Sequence, residues 1–117
     1  MGEAMVGVNL MELAGYAVRE GVVAGQTLDS GLHLLVYPAG SEILVALGYK
    51  ADSVRREVLS WVLRRRAGNV ARFGKWMPAL MADGAFYVVR RIQSIEQRDG
   101  LPLLSEDEMN DAEELIS

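Results

Sequence analysis

Residues 32–49, LHLLVYPAGSEILVALGY, constrain the fold more than any other stretch of the chain. Two short apolar runs are separated by Pro38-Ala39-Gly40-Ser41, which is turn chemistry. Two strands joined this closely pair antiparallel as a hairpin. Along 42–49, period-two alternation places Ile43, Val45, Leu47 and Tyr49 on one face. Along 32–37 the alternation fails. Nearly every residue is apolar, the pattern expected of a strand covered on both faces.

Helices are read on either side of this hairpin. In VNLMELAGYAVRE, residues 8–20, Leu10, Leu13, Ala14, Ala17 and Val18 recur at helical spacing. Asn9 and Glu12 have the spacing of a capping box, and Gly21 suits the residue after the helix. Gly7 and Gly15 work against this helix, each costing about 1 kcal/mol relative to Ala. Residues 22–29, VVAGQTLD, read as a glycine-containing and poorly patterned first strand, closed by Asp29-Ser30-Gly31.

The spacing predicts a long helix over 52–67, capped by Asp52 or Ser53 and stopped at Gly68-Asn69. Val54, Val58, Trp61, Val62 and Arg65 trace one stripe of it, which Leu59 and Leu63 widen. Residues 69–76 are ambiguous, and Pro78 requires any helix to have ended by then. Asp83-Gly84 marks a second hairpin between 79–82 and 85–92, where Phe86 and Val88 alternate with Tyr87 and Val89. Gly100-Leu101-Pro102 marks a loop. Ser105 then caps a final helix at 106–116, with Glu108 completing a capping box and Met109, Ala112, Leu115 and Ile116 helically spaced. The order α-β-β-β-α-β-β-α predicts an α+β domain over 1–117, an antiparallel sheet flanked by helices.

Composition removes several kinds of chemistry. The 117 residues include no Cys and one His, which excludes a disulfide scaffold, a thiol nucleophile, Cys-based zinc sites and multi-His metal clusters. His33 lies inside an apolar run and is read as structural. No nucleophile elbow, phosphate loop, dinucleotide fingerprint or EF-hand spacing is present. No catalytic residue, cofactor or metal is therefore expected. The first basic residue is Arg19, preceded by Glu3 and Glu12, so no secretory signal is read. No run of 18 uncharged apolar residues offers a membrane span, and the expected compartment is the cytoplasm.

Charge is divided unevenly. Residues 105–117 carry six acids and no base, whereas residues 50–91 carry ten bases and three acids. The plain reading is solvated faces. The alternative is a nucleic-acid-binding or regulatory module built on the stripe 55–91. Its arginines at 55, 56, 64, 65, 66, 72, 90 and 91, with Lys75, would track phosphates while Phe73, Trp76 and Tyr87 stack bases. The acidic pI of about 5.0 argues against it, since nucleic-acid modules typically exceed about 9.

Three segments resemble a known family: LDSGLHLLVYPAGSEILVALGY at 28–49, DSVRREVLSWVLRRR at 52–66 and PALMADGAFYVVRRI at 78–92. They look like the class I chaperones of bacterial type III secretion, the SycE/CesT group, and most like its YscB-type members. The resemblance covers roughly residues 8–116. It implies a helix, three strands, a long helix, two strands and a last helix, without enzymatic activity. It implies a chaperone that binds the N-terminal segment of a secreted effector or of a gatekeeper protein. It also implies a homodimer, or a heterodimer with a related small chaperone, formed through the long helix and a neighbouring strand. On this basis Val58, Trp61, Val62 and Arg65 are assigned to the dimer interface. The apolar excess at Met5, Val6, Leu10, Met11 and Leu13 is assigned to the client, because Met repacks readily against varied partners.

Overall fold

The computed structural model describes residues 2–54, 57–93 and 104–117, with side chains from Leu10 onward except those of residues 11, 53 and 93. The alternating run at 42–49 forms strand β3 (Glu42–Tyr49), the middle strand of a five-stranded sheet. On one side lie β2 (His33–Ala39) and then β1 (Ala24–Thr27) at the edge. On the other lie β5 (Phe86–Gln93) and then β4 (Met77–Leu80) at the opposite edge. Every neighbouring pair is antiparallel, giving the order β1-β2-β3-β5-β4. Both expected hairpins form. Pro38 lies beyond the point where β1 stops pairing, and Pro78 lies on an edge strand, so both missing N–H groups are tolerated.

The helices are α1 (Gly2–Glu20), α2 (Val58–Gly68), the single turn α3 (Val70–Phe73) and α4 (Glu106–Ile116). The class is therefore α+β, an antiparallel sheet flanked by helices, in the element order expected from the sequence. Several boundaries differ from the pattern: β2 runs on through Pro38 and Ala39, β4 spans Met77–Leu80 rather than 79–82, and two helices start elsewhere than expected. Helix α1 begins at Gly2, so Asn9 is an interior position of the helix and not its N-cap. The buried stripe of Leu10, Ala14 and Ala17 offsets the cost of glycine in this helix. The second helix does not start at Asp52. A 3-10 turn occupies Ala51–Ser53 without a side-chain cap, and Val54 is extended at φ −74 and ψ 125, which breaks any continuous helix there. Residues 55 and 56 and the loop at 100–102 lie outside the described residues.

One core holds the structure together. Inward-facing Leu34, Val36, Ile43, Val45, Leu47, Phe86, Val88 and Ile92 are all buried. They pack with Leu10, Ala14 and Ala17 of α1, Val58 and Val62 of α2, Phe73 of α3, and Met109, Ala112, Leu115 and Ile116 of α4. Helix α4 carries the capping box read from the sequence. The Ser105 hydroxyl accepts from the Glu108 N–H at 3.2 Å, and the Glu108 carboxylate accepts from the Ser105 N–H at 2.9 Å.

Two strands approach closely at Gly48. A β-carbon there would sit 2.1 Å from the Phe86 carbonyl oxygen of β5. Neither backbone can give way without breaking the ladder. Gly48→Ala is expected to destabilise the domain by roughly 1–3 kcal/mol. A urea unfolding curve should show a lower midpoint at an unchanged slope. An unchanged midpoint would refute the packing described for this pair.

Candidate protein-binding surface

The strand register defines a second sheet face. One row crosses all five strands as Gly25, Leu35, Ala46, Val89 and Met77. A flanking row is Thr27, His33, Gly48, Tyr87 and Ala79, and the other flank carries Tyr37, Leu44 and Arg91. On this face Ala46, Ala85 and Tyr87 form a small cluster with Leu35 and Val89, and no residue of a described helix belongs to it. Leu44 is half-buried, while Tyr37 and Met77 are more than half exposed. The face is apolar, and no described helix packs on it. Ala46, Gly48 and Tyr87 along its middle are buried. Its exposed apolar surface lies at the Tyr37 and Met77 end, where exposed apolar surface marks an interaction site. The apolar run 32–37 was expected to be covered on both sides. Leu34 and Val36 enter the core, while on this face Leu35 is half-buried against Ala46 and Tyr87 and Tyr37 is exposed.

His33 and Tyr87 sit on the same face, with His33 Nδ1 and the Tyr87 hydroxyl 2.9 Å apart. Burial lowers the His33 pKa, reinforced by nearby Lys50. Burial raises that of Tyr87, reinforced by Asp83. Both groups are therefore neutral at pH 7, and the pair behaves as part of the sheet. Among the described residues no group of His, Cys, Asp or Glu could hold a metal ion, and no helix is long and apolar enough to cross a membrane.

The basic stripe is largely engaged within the chain. Arg65 donates to the carbonyls of Glu114 at 2.8 Å and Leu115 at 3.3 Å, placing a cation at the negative end of α4. Arg66 donates to the carbonyls of Trp76 and Gly74. Arg72 binds Asp111 at 2.6 Å and grips Glu114 with both terminal nitrogens, at 2.6 and 2.9 Å. Arg90 pairs with Glu108, and Arg91 with Glu42. Arg64 and Lys75 are exposed, and Arg55 and Arg56 lie outside the described residues. Phe73, Trp76 and Tyr87, the aromatics the alternative reading needs for stacking, are all buried.

The residues singled out in the sequence separate into two sets. Val58 and Val62 are buried in the core, so within one chain they support α2 from beneath. Trp61 is half-buried, with its Nε1 lacking an acceptor among the described residues and Arg65 5.5 Å over its ring. Leu59 and Leu63, which only widened the predicted stripe, are the exposed apolar residues of α2. In α1, Leu10 is fully buried and belongs to the core, and Leu13 is half-buried against it. The side chains of Met5, Val6 and Met11 lie outside the described residues. Leu35, Tyr37, Leu44, Met77 and Val89 escaped the sequence reading. For Leu35 and Tyr37 the signal was the failure of alternation in LHLLVY, which admits either a second covering layer or an exposed apolar face.

No protein-family model matches the chain, and no curated protein matches it. Among solved structures, a chain of the ExsC–ExsE complex is similar at a TM-score of 0.47 and 11% identity, covering 93% of this chain and 84% of that one.

The α4 contacts carry a pH dependence. Arg72 holds the Glu114 carboxyl below its usual range, against some desolvation. For Glu108, desolvation pushes upward, but hydrogen bonds from Ser105 and the charge of Arg90 outweigh it, leaving a net lowering. A carboxylate lowered in the folded state stabilises above its unfolded pKa, about 4.3 for Glu, and that stability is lost as pH falls through the folded value. Thermal melts followed by circular dichroism should show the stabilisation from these two groups constant between pH 5 and 8 and declining below about pH 4.3. Glu114→Gln with Glu108→Gln should flatten the decline, and an identical acid profile in that variant would contradict the assignment.

Proposed function

We propose that the chain is a non-enzymatic cytoplasmic chaperone that binds the N-terminal segment of a type III secreted effector or gatekeeper protein and keeps it secretion-competent. The observation that carries this reading is the apolar second sheet face, on which no described helix packs and whose Tyr37 and Met77 end is exposed, with β1 and β4 as the edge strands. An extended segment gains main-chain hydrogen bonds at a strand edge and buries its side chains on an adjoining apolar surface. The sequence resemblance at 28–49, 52–66 and 78–92 supports the same reading. Met5, Val6, Met11 and Leu13 of α1 are assigned to the same client, with Leu10 supporting them from the core.

The working form is a homodimer, or a heterodimer with a related small chaperone. Leu59 and Leu63 of α2 are 40% and 48% exposed, and β4, which contacts α2, adds Leu80 at 65%. We assign the dimer contact to this edge, with Trp61 and Arg65 beside it and Val58 and Val62 behind it.

Co-expression with the secreted proteins encoded nearby should yield a stable complex with one of them. Sedimentation should report about twice the 12.8 kDa chain mass or a complex with a sister subunit. Leu63→Asp, at an exposed position, should dissociate the dimer while leaving the circular dichroism spectrum intact. A monomer that captures none of those proteins would sink the reading.

A further inference from the structure

This second face is not uniform: Ala46 and Tyr87 at its middle are buried, and its β4–β5 end is open. The apolar row Leu35–Ala46–Val89–Met77 runs there into an open groove of about 580 Å³, within the ~300–1,000 Å³ typical of ligand pockets. Leu44, Met77 and Val89 give the groove its apolar lining, and Lys75 and Arg91 add cationic groups to it. Arg90 also lines it, but its guanidinium is held by Glu108 and is only 14% exposed. Arg91 is 71% exposed and shares its charge with Glu42. Lys75 is exposed and makes no ion pair among the described residues. One flank of this apolar surface therefore carries an uncompensated positive charge.

We infer that this row and groove take an extended client segment in which a large apolar residue is followed closely by an acid. The apolar side chain fills the groove against Leu44, Met77 and Val89, and the carboxylate meets Lys75 and Arg91. Five strands about 4.8 Å apart make the row roughly 19 Å long, the span of about six residues of extended chain. A basic residue at the same position would face Lys75 and Arg91 with like charge, so the flank selects as well as attracts. The inference rests on the chaperone reading and adds the chemistry of the client segment and the place where it docks.

Fluorescence anisotropy with the full chain tests it. The probe is a fluorescein-labelled decapeptide alternating Leu and Phe with Asp, compared with a version whose aspartates are replaced by lysines. The acidic peptide should bind at least tenfold more tightly. Lys75→Glu should weaken the acidic peptide at least fivefold and strengthen the lysine peptide. Met77→Ser should weaken both peptides, which share the same Leu and Phe side chains, without reversing the preference. Both substitutions are at exposed positions, and circular dichroism checks the fold. Equal affinity for the two peptides, failure of both to bind, or indifference to Lys75→Glu would overturn the inference. Client capture on co-expression reports separately on the chaperone reading, which survives if a client co-purifies while these peptides fail.

Discussion

Strand β3 is the constraint on which the rest of the molecule depends. It has strands on both sides, and its alternation sends Ile43, Val45 and Leu47 into the core and Leu44, Ala46 and Gly48 to the opposite face. A slip of one residue would exchange those sets and expose the core side chains. Gly48 helps fix the register, because only a residue without a β-carbon fits against the Phe86 carbonyl. With β3 fixed, β2 and β5 follow its alternation, and the inward rows meet α1, α2 and α4. The described helices contribute to that one core and leave the other face bare.

The charged residues then secure the helical layer. Helix α4 is capped by Ser105 at one end and met by Arg65 at the other. Arg72 and Arg90 tie its acidic side to α3 and β5. The uneven charge seen in the sequence, basic in 50–91 and acidic in 105–117, is thus a pair of surfaces that meet in the folded chain. Screening limits what such exposed pairs contribute individually, and the packing of Met109, Ala112, Leu115 and Ile116 dominates.

Much of this was legible in the sequence, for identifiable reasons. β3 and α4 were read with their observed bounds, because the period-two placement of Ile43, Val45, Leu47 and Tyr49 and a complete capping box are local signals. The start of α2 was not legible, since the 3-10 turn at Ala51–Ser53 and the extended Val54 interrupt the helix that Asp52 or Ser53 was expected to cap. Nor did spacing alone separate the buried Val58 and Val62 from the exposed Leu59 and Leu63, because a wide apolar stripe has no marked centre. The open face was visible only as broken alternation in LHLLVY. Which side a second layer occupies is decided by long-range packing, which no short window contains.

The central claim is that the bare sheet face is where the protein works. Hydroxyl-radical footprinting of the chain alone and in complex with a co-purified client measures this directly. The account predicts that Tyr37 and Met77, both exposed in the free chain, lose most of their oxidation in the complex. Unchanged oxidation of Tyr37 and Met77 in a complex that protects other residues would contradict it.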